Sequence, residues 1–181
     1  PSDVSIIGVG ATQGAVAALR AGQIDAISNL DPVITLLQRS GDLKILSDTR
    51  VVAEADKVFG GPMPAACLYA PQSFIDKHPQ TTQALANAMV RANKWIQAAG
   101  PSDIITNVPE SYLLGDRAIY EKSFAGVRET ISPDGLMPAG AQENCLKFLV
   151  EADPKLAADK DKIKLADTWT NEFAERAKKR A

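Results

Sequence analysis

The chain opens on a short apolar, β-branched run, Val4-Ser5-Ile6-Ile7-Gly8-Val9, the pattern of a buried strand. Ala15, Val16, Ala18 and Leu19 follow at helical spacing and predict a short helix that stops at Gly22. Ile24-Asp25-Ala26-Ile27-Ser28-Asn29 reads as a second strand. Asp31-Pro32 then opens a second helix, with Asp as its cap and Pro in its first position. Val33, Ile34, Leu36 and Leu37 give that helix an apolar face, and Gly41 ends it. Leu43-Lys44-Ile45-Leu46 predicts a third strand. A fourth, Ala65 to Ala70, follows the loop Phe59-Gly60-Gly61-Pro62-Met63-Pro64. This alternation implies a parallel sheet with right-handed crossovers, its strands near 4–9, 24–28, 43–47 and 65–70.

Beyond Ala70 the period becomes helical. Gln72 to Lys77 predict at least one turn. Pro79 starts a long helix whose apolar positions Leu85, Met89, Ala92 and Ile96 recur at helical spacing. The pattern stays helical to the end, broken at Pro101, Pro109, Pro133, Pro138 and Pro154. The expected fold is therefore α/β, with a small, mostly parallel sheet followed by a helical C-terminal half. So small a parallel sheet has uncovered faces. Together with an opening that has no initiator Met, this reads as a cut end inside a longer chain, so the lack of a signal peptide says nothing about compartment.

Composition narrows the function classes. Twenty basic against 22 acidic residues give a net charge of -2, which offers no electrostatic reason to expect nucleic acid or an anionic membrane. No apolar run reaches the length of a membrane span. Cys67 and Cys145 fit no metal-ligand spacing and read as partly buried small hydrophobes, with one disulfide open to them in an oxidising compartment. His78, the only histidine, sits in the exposed-looking stretch Asp76-Lys77-His78-Pro79, so a Ser-His-Asp or Cys-His arrangement has little to draw on. Trp95 and Trp169 fall on amphipathic stretches and read as core. The catalytic inventory is thus poor, and no enzyme, cofactor or metal is expected.

Three turns are candidate binding elements. In Gly8-Val9-Gly10-Ala11-Thr12-Gln13-Gly14 the glycines permit close approach of a ligand, and a helix starting near Gln13 offers N–H groups and its positive dipole end to an anion. Its spacing misses the dinucleotide fingerprint. A plain tight turn and a ligand site are equally open, with Gly10, Ala11, Thr12 and Gln13 as the candidates. Asn29 and Asp31 follow the next strand and project toward the same sheet edge, where open α/β sheets bind ligands. Asp31 reads first as a helix cap, whereas no local role demands Asn29. Gly60 and Gly61 either line a cleft or simply link two elements.

The run from Val4 to Pro32 carries a resemblance, in particular Val16-Ala17-Ala18-Leu19-Arg20-Ala21-Gly22-Gln23-Ile24-Asp25-Ala26 and Asp31-Pro32. It resembles the second lobe of the periplasmic substrate-binding proteins of nitrate/sulfonate/taurine-type ABC transporters, including the group related to thiamine-pyrimidine-precursor binding proteins. Ser73 to Pro79, Asp134-Gly135-Leu136-Met137-Pro138 and Ala166 to Phe173 resemble the family's later segments, so the likeness covers nearly the whole chain. It implies a partial periplasmic-binding-protein type II fold. Residues 1–66 would be a remnant of the second α/β lobe, and 67–181 a crossover strand and helical region packing on a missing first lobe. It implies a small-molecule solute in the cleft, an ABC permease of the inner membrane as partner, a periplasmic or cell-surface-anchored location, and a monomer when intact. The site residues it carries over are Gly10, Ala11, Thr12, Gln13, Asn29 and Asp31, with Gly60 and Gly61 matching less closely. Two other readings share the fold. The effector domain of a transcription regulator usually ends soon after the second crossover, and the long helical tail argues against it. A thiamine-pyrimidine-synthase-like enzyme needs a histidine and a cysteine-rich segment, against one His and two separated Cys here.

Overall fold

The structure is a computed structural model and describes residues 3–113 and 115–179. Its helices are α1 (Gln13–Arg20), α2 (Val33–Arg39), α3 (Val52–Phe59), α4 (Gln72–Lys77), α5 (Pro79–Ala98), α6 (Pro101–Asn107), α7 (Arg117–Val127), α8 (Ala141–Ala152), α9 (Pro154–Asp159) and α10 (Glu172–Lys178), with short 3-10 turns between some of them. By contact these residues fall into two units. One comprises residues 1–46 and 99–127, the other 47–98 and 128–181.

No strand forms among the described residues, which overturns the expected α/β fold and its partial type II sheet. The segments at 4–9, 24–28, 43–47 and 65–70 run without regular structure, and among the described residues no backbone hydrogen bond joins one to another. The reason is physical. Apolar, β-branched runs record a preference for burial, but a strand exists only when a neighbour supplies a ladder of N–H and C=O groups. Here burial is reached piecemeal: Val9, Ile27 and Leu43 pack on helices, while Ile6, Ile7, Leu46, Leu68 and Tyr69 stay exposed.

In the first unit α1 and α2 form the core. Ala15 and Val16 of α1 meet Val33 and Leu37 of α2, all nearly or fully buried, and each Val or Leu so buried contributes about 1.5–3 kcal/mol. Both helices end in the same motif. Gly22 takes φ +66°, with its N–H donating to Leu19 O (3.0 Å) and that of Gln23 to Ala18 O (3.0 Å). Gly41 takes φ +75°, with its N–H donating to Gln38 O (3.2 Å) and that of Asp42 to Leu37 O (2.9 Å). These are paired Schellman bonds, which need a left-handed residue after the helix. Arg20 at the end of α1 donates to Asp42 Oδ2 (2.8 Å) and Ser40 Oγ (3.0 Å) beyond α2, joining the two helix ends. Elsewhere in this unit α7 packs on α2 and α6, with Ile104, Leu113 and Ile119 buried.

The second unit is organised by α5 against α10. Thr82, Ala86 and Val90 are the buried positions of α5, and Ala177 is that of α10. The apolar positions Leu85, Met89 and Ala92 are exposed instead. The loop Ser132–Met137 is fastened to this pair. Gly135 (φ +75°) abuts Val90, Lys178 Nζ donates to Asp134 Oδ2 (2.8 Å), and Met137 exchanges hydrogen bonds with the Asn171 side chain (2.8 and 3.2 Å). Phe59 and Phe148 meet edge to face at 5.1 Å.

Three carboxyls are held below their usual value of 3.8: Asp42 by the Ser40 hydroxyl and then Arg20, Asp48 by Arg50, and Asp134 by Lys178. A lowered folded-state pKa stabilises the fold above the unfolded value, and this stability is lost as pH falls through the folded value. The urea midpoint should therefore drop on acidification from about pH 5 to about pH 2.5. Asp134→Asn should remove part of that drop, by under about 1 kcal/mol because the Lys178 pair is partly exposed. Urea titrations of the two proteins at both pH values check this.

Candidate functional site

The sequence-derived candidates Gly10 to Asp31 lie in the first unit, around the start of α1. Gly10 adopts φ +68°, a conformation natural to glycine, and turns the chain into Ala11 and Thr12. Thr12 caps α1: its Oγ1 accepts from Gly14 N (3.3 Å) and its carbonyl from Ala15 N (3.0 Å). Gln13 is the first residue of the helix, and Gly10 to Gly14 are all solvent-exposed. The turn is therefore accessible, uncharged, and sited at the positive end of the helix dipole.

Asn29 has the local role that the sequence does not disclose. Its Nδ2 donates to Gly10 O (2.7 Å), and its Oδ1 accepts from Leu30 N (2.9 Å). One half-buried amide thus ties the segment before α2 to the turn before α1. Asp31 caps α2 through Oδ1, which accepts from Thr35 N (2.9 Å); the helix itself begins at Val33. Gly10, Thr12, Gln13, Asn29 and Asp31 therefore belong to one local arrangement, pinned by the Asn29–Gly10 bond.

Gly60 and Gly61 lie in the second unit. Gly60 is the left-handed cap of α3 (φ +76°), and Gly61 takes φ +147°. Asn144 of α8 packs on this loop. Its Nδ2 donates to Pro62 O (3.2 Å), and a Cβ on Gly61 would lie 3.6 Å from its side chain. Next to it, Cys145 Sγ is 3.5 Å from Met63 Sδ. Sequence reasoning missed Asn144, and nothing in the local pattern of a helical asparagine signals a partner 82 positions away.

Other chemistry is sparse. His78 is exposed and lies with its ring 5.0 Å from that of Phe74. Cys67 and Cys145 are unjoined, and burial raises the Cys145 thiol pKa. Among the described residues no group of three or more His, Cys, Asp or Glu side chains is placed to hold a metal. No helix among them is long and apolar enough to cross a membrane.

Comparison with known proteins adds three findings. A solved structure of a protein from Bordetella bronchiseptica RB50 superimposes with a TM-score of 0.92 at 52% sequence identity, over 99% of this chain and 56% of that one. The present chain thus spans little more than half the length of that relative. A comparison with curated protein sequences returned no match. The model of the NMT1-like family matches residues 1–108, a stretch that contains Gly10 to Asp31 and Gly60–Gly61. The chain accordingly belongs to the NMT1-like family.

Proposed function

We propose that this chain is part of the substrate-binding component of an ABC importer, capturing a small anionic or carbonyl-bearing solute between two lobes and delivering it to an inner-membrane permease. Members of the NMT1-like family are typically periplasmic solute-binding components of such transporters and are generally not enzymes. The observation that carries the reading to particular residues is the turn Gly10–Gln13, exposed at the start of α1 and held by Asn29. There the positive end of a helix dipole and the exposed Thr12 hydroxyl favour an oxyanion without a counter-charge. Because the Asp31 carboxylate accepts from its own helix, part of its charge is engaged there rather than set against an anion. The remaining contacts would come from the facing lobe. The protein would act in the periplasm or anchored at the cell surface, as a monomer without a cofactor.

Calorimetric titration of the intact gene product with sulfonates, carboxylates and pyrimidines tests this. Thr12→Ala should weaken binding about fivefold, the loss of one net hydrogen bond of about 1 kcal/mol. Asp31→Asn keeps a capping side chain and removes only the charge, so it should shift the preference between anionic and amine-bearing solutes. The 181-residue chain by itself should give only weak, nonspecific heats, since a cleft closed from one side cannot exclude water. Unchanged binding in both variants places the site elsewhere.

A further inference from the structure

The two cysteines of the chain both lie in the second unit, together with Met63. There the loop 59–63 is laid along one side of α8 by three contacts. Phe59 meets Phe148 edge to face at 5.1 Å, Asn144 Nδ2 donates to Pro62 O (3.2 Å), and the Cys145 thiol donates to Met63 Sδ (3.5 Å). Asn144 and Cys145 precede Phe148 by four and three positions, so all three share a neighbourhood on the helix surface. Met63 and Cys145 are half-buried, which leaves their sulfurs paired at the edge of the apolar contact. Cys67 follows Met63 by four residues and is exposed. Burial raises the Cys145 thiol pKa, and charge on Cys67 raises it further, so the second thiol lies within electrostatic reach of the first.

The donor chemistry here is uniform. Among the described residues no histidine or carboxylate joins the cysteines to make a group of three. What stands beside them is a thioether, whose sulfur is soft and polarisable. Soft thiolate and thioether ligands select Cu(I). Mg(II) and Ca(II) require oxygen, and Zn(II) closes its structural sites with a tetrahedral set of Cys and His. We propose that Met63, Cys67 and Cys145 form a three-sulfur site for Cu(I). Met63 and Cys145 are its preformed half, and exposed Cys67 marks the side from which the ion enters. On binding, both thiols release their protons to solvent and the thioether lends a lone pair. Copper stays Cu(I) throughout, so no oxidant or reductant is consumed. The Phe59–Phe148 pair, one turn along α8 from Cys145, limits access of water. The site does not rest on the solute-binding reading.

Anaerobic competition of the reduced, intact gene product against bicinchoninate, a chromophoric Cu(I) chelator, tests this. Loss of even an outer-shell partner costs a metal site about 10–100-fold in affinity, so Cys67→Ser, Cys145→Ser and Met63→Leu should each lower Cu(I) affinity at least about tenfold. Met63→Leu is the sharpest variant, because it keeps the volume and removes the sulfur. Its circular dichroism should match wild type, so a loss of copper there is a loss of a ligand and not of the fold. Equal Cu(I) affinity in wild type and Met63→Leu, or in wild type and Cys67→Ser, overturns the proposal, since the copper is then held adventitiously by a single thiol. A wild-type protein that leaves all the copper with the chelator overturns it as well.

Discussion

Replacing Leu37 by Ala is expected to cost the first unit about 2–5 kcal/mol, enough to unfold it at moderate urea. Leu37 is fully buried where α2 meets Ala15 and Val16 of α1. The other buried residues of the cluster are small, Ala15 and Val16 opposite it and Val33 on its own helix, and leave little side-chain mass to collapse into the gap. The cavity would therefore persist, placing the loss in the upper part of that range. Circular dichroism during urea titration reads the effect. Leu36, half-buried on the same helix, should lose about half as much on the same substitution, since less apolar area returns to water. A Leu37→Ala midpoint indistinguishable from wild type would mean that α1 and α2 do not form the core of this unit.

The second large effect is expected at Gly135, where two costs combine. Its φ of +75° is left-handed, which costs an L-residue about 1–2 kcal/mol. A Cβ there would also lie 3.0 Å from Cγ2 of Val90, which is itself buried and cannot move aside. Overpacking of this kind adds about 1–3 kcal/mol, so Gly135→Ala should destabilise the second unit by roughly 2–5 kcal/mol. Gly22 provides the control. It is also left-handed, at φ +66°, but nothing lies within 4 Å of a Cβ there. Gly22→Ala should thus cost only the conformational part, about 1 kcal/mol, and in the first unit. Thermal unfolding of both variants separates steric from conformational cost. Equal losses at the two positions would show that the Val90 contact is not a constraint.

Helix ends and local faces are legible in this sequence because they depend on neighbours in the chain. Gly22 and Gly41 mark the ends of α1 and α2, and Ala15, Val16, Val33 and Leu37 mark what those helices bury. What depends on distant partners is not legible. The runs at 4–9 and 65–70 have strand-like composition, but composition does not provide the ladder. In α5 the larger side chains sit at Leu85 and Met89, yet the buried positions are Thr82, Ala86 and Val90, and which side of a helix is covered depends on partners distant in the chain. At the candidate site, the glycines were readable from the turn itself, and the capping role of Asp31 from the Asp-Pro pair. The Asn29–Gly10 bond was not, since it spans 19 positions and uses a residue with no local signature.

The central claim is that a solute binds at the turn before α1. Amide hydrogen exchange of the intact gene product, measured with its retained solute and after the solute is removed, tests this most directly. The account predicts slower exchange at Gly10 to Gly14 in the loaded protein, with Asn29→Ala abolishing both that protection and retention of the solute in native mass spectrometry. Solute retained at full occupancy, with exchange at Gly10 to Gly14 unchanged, would contradict it.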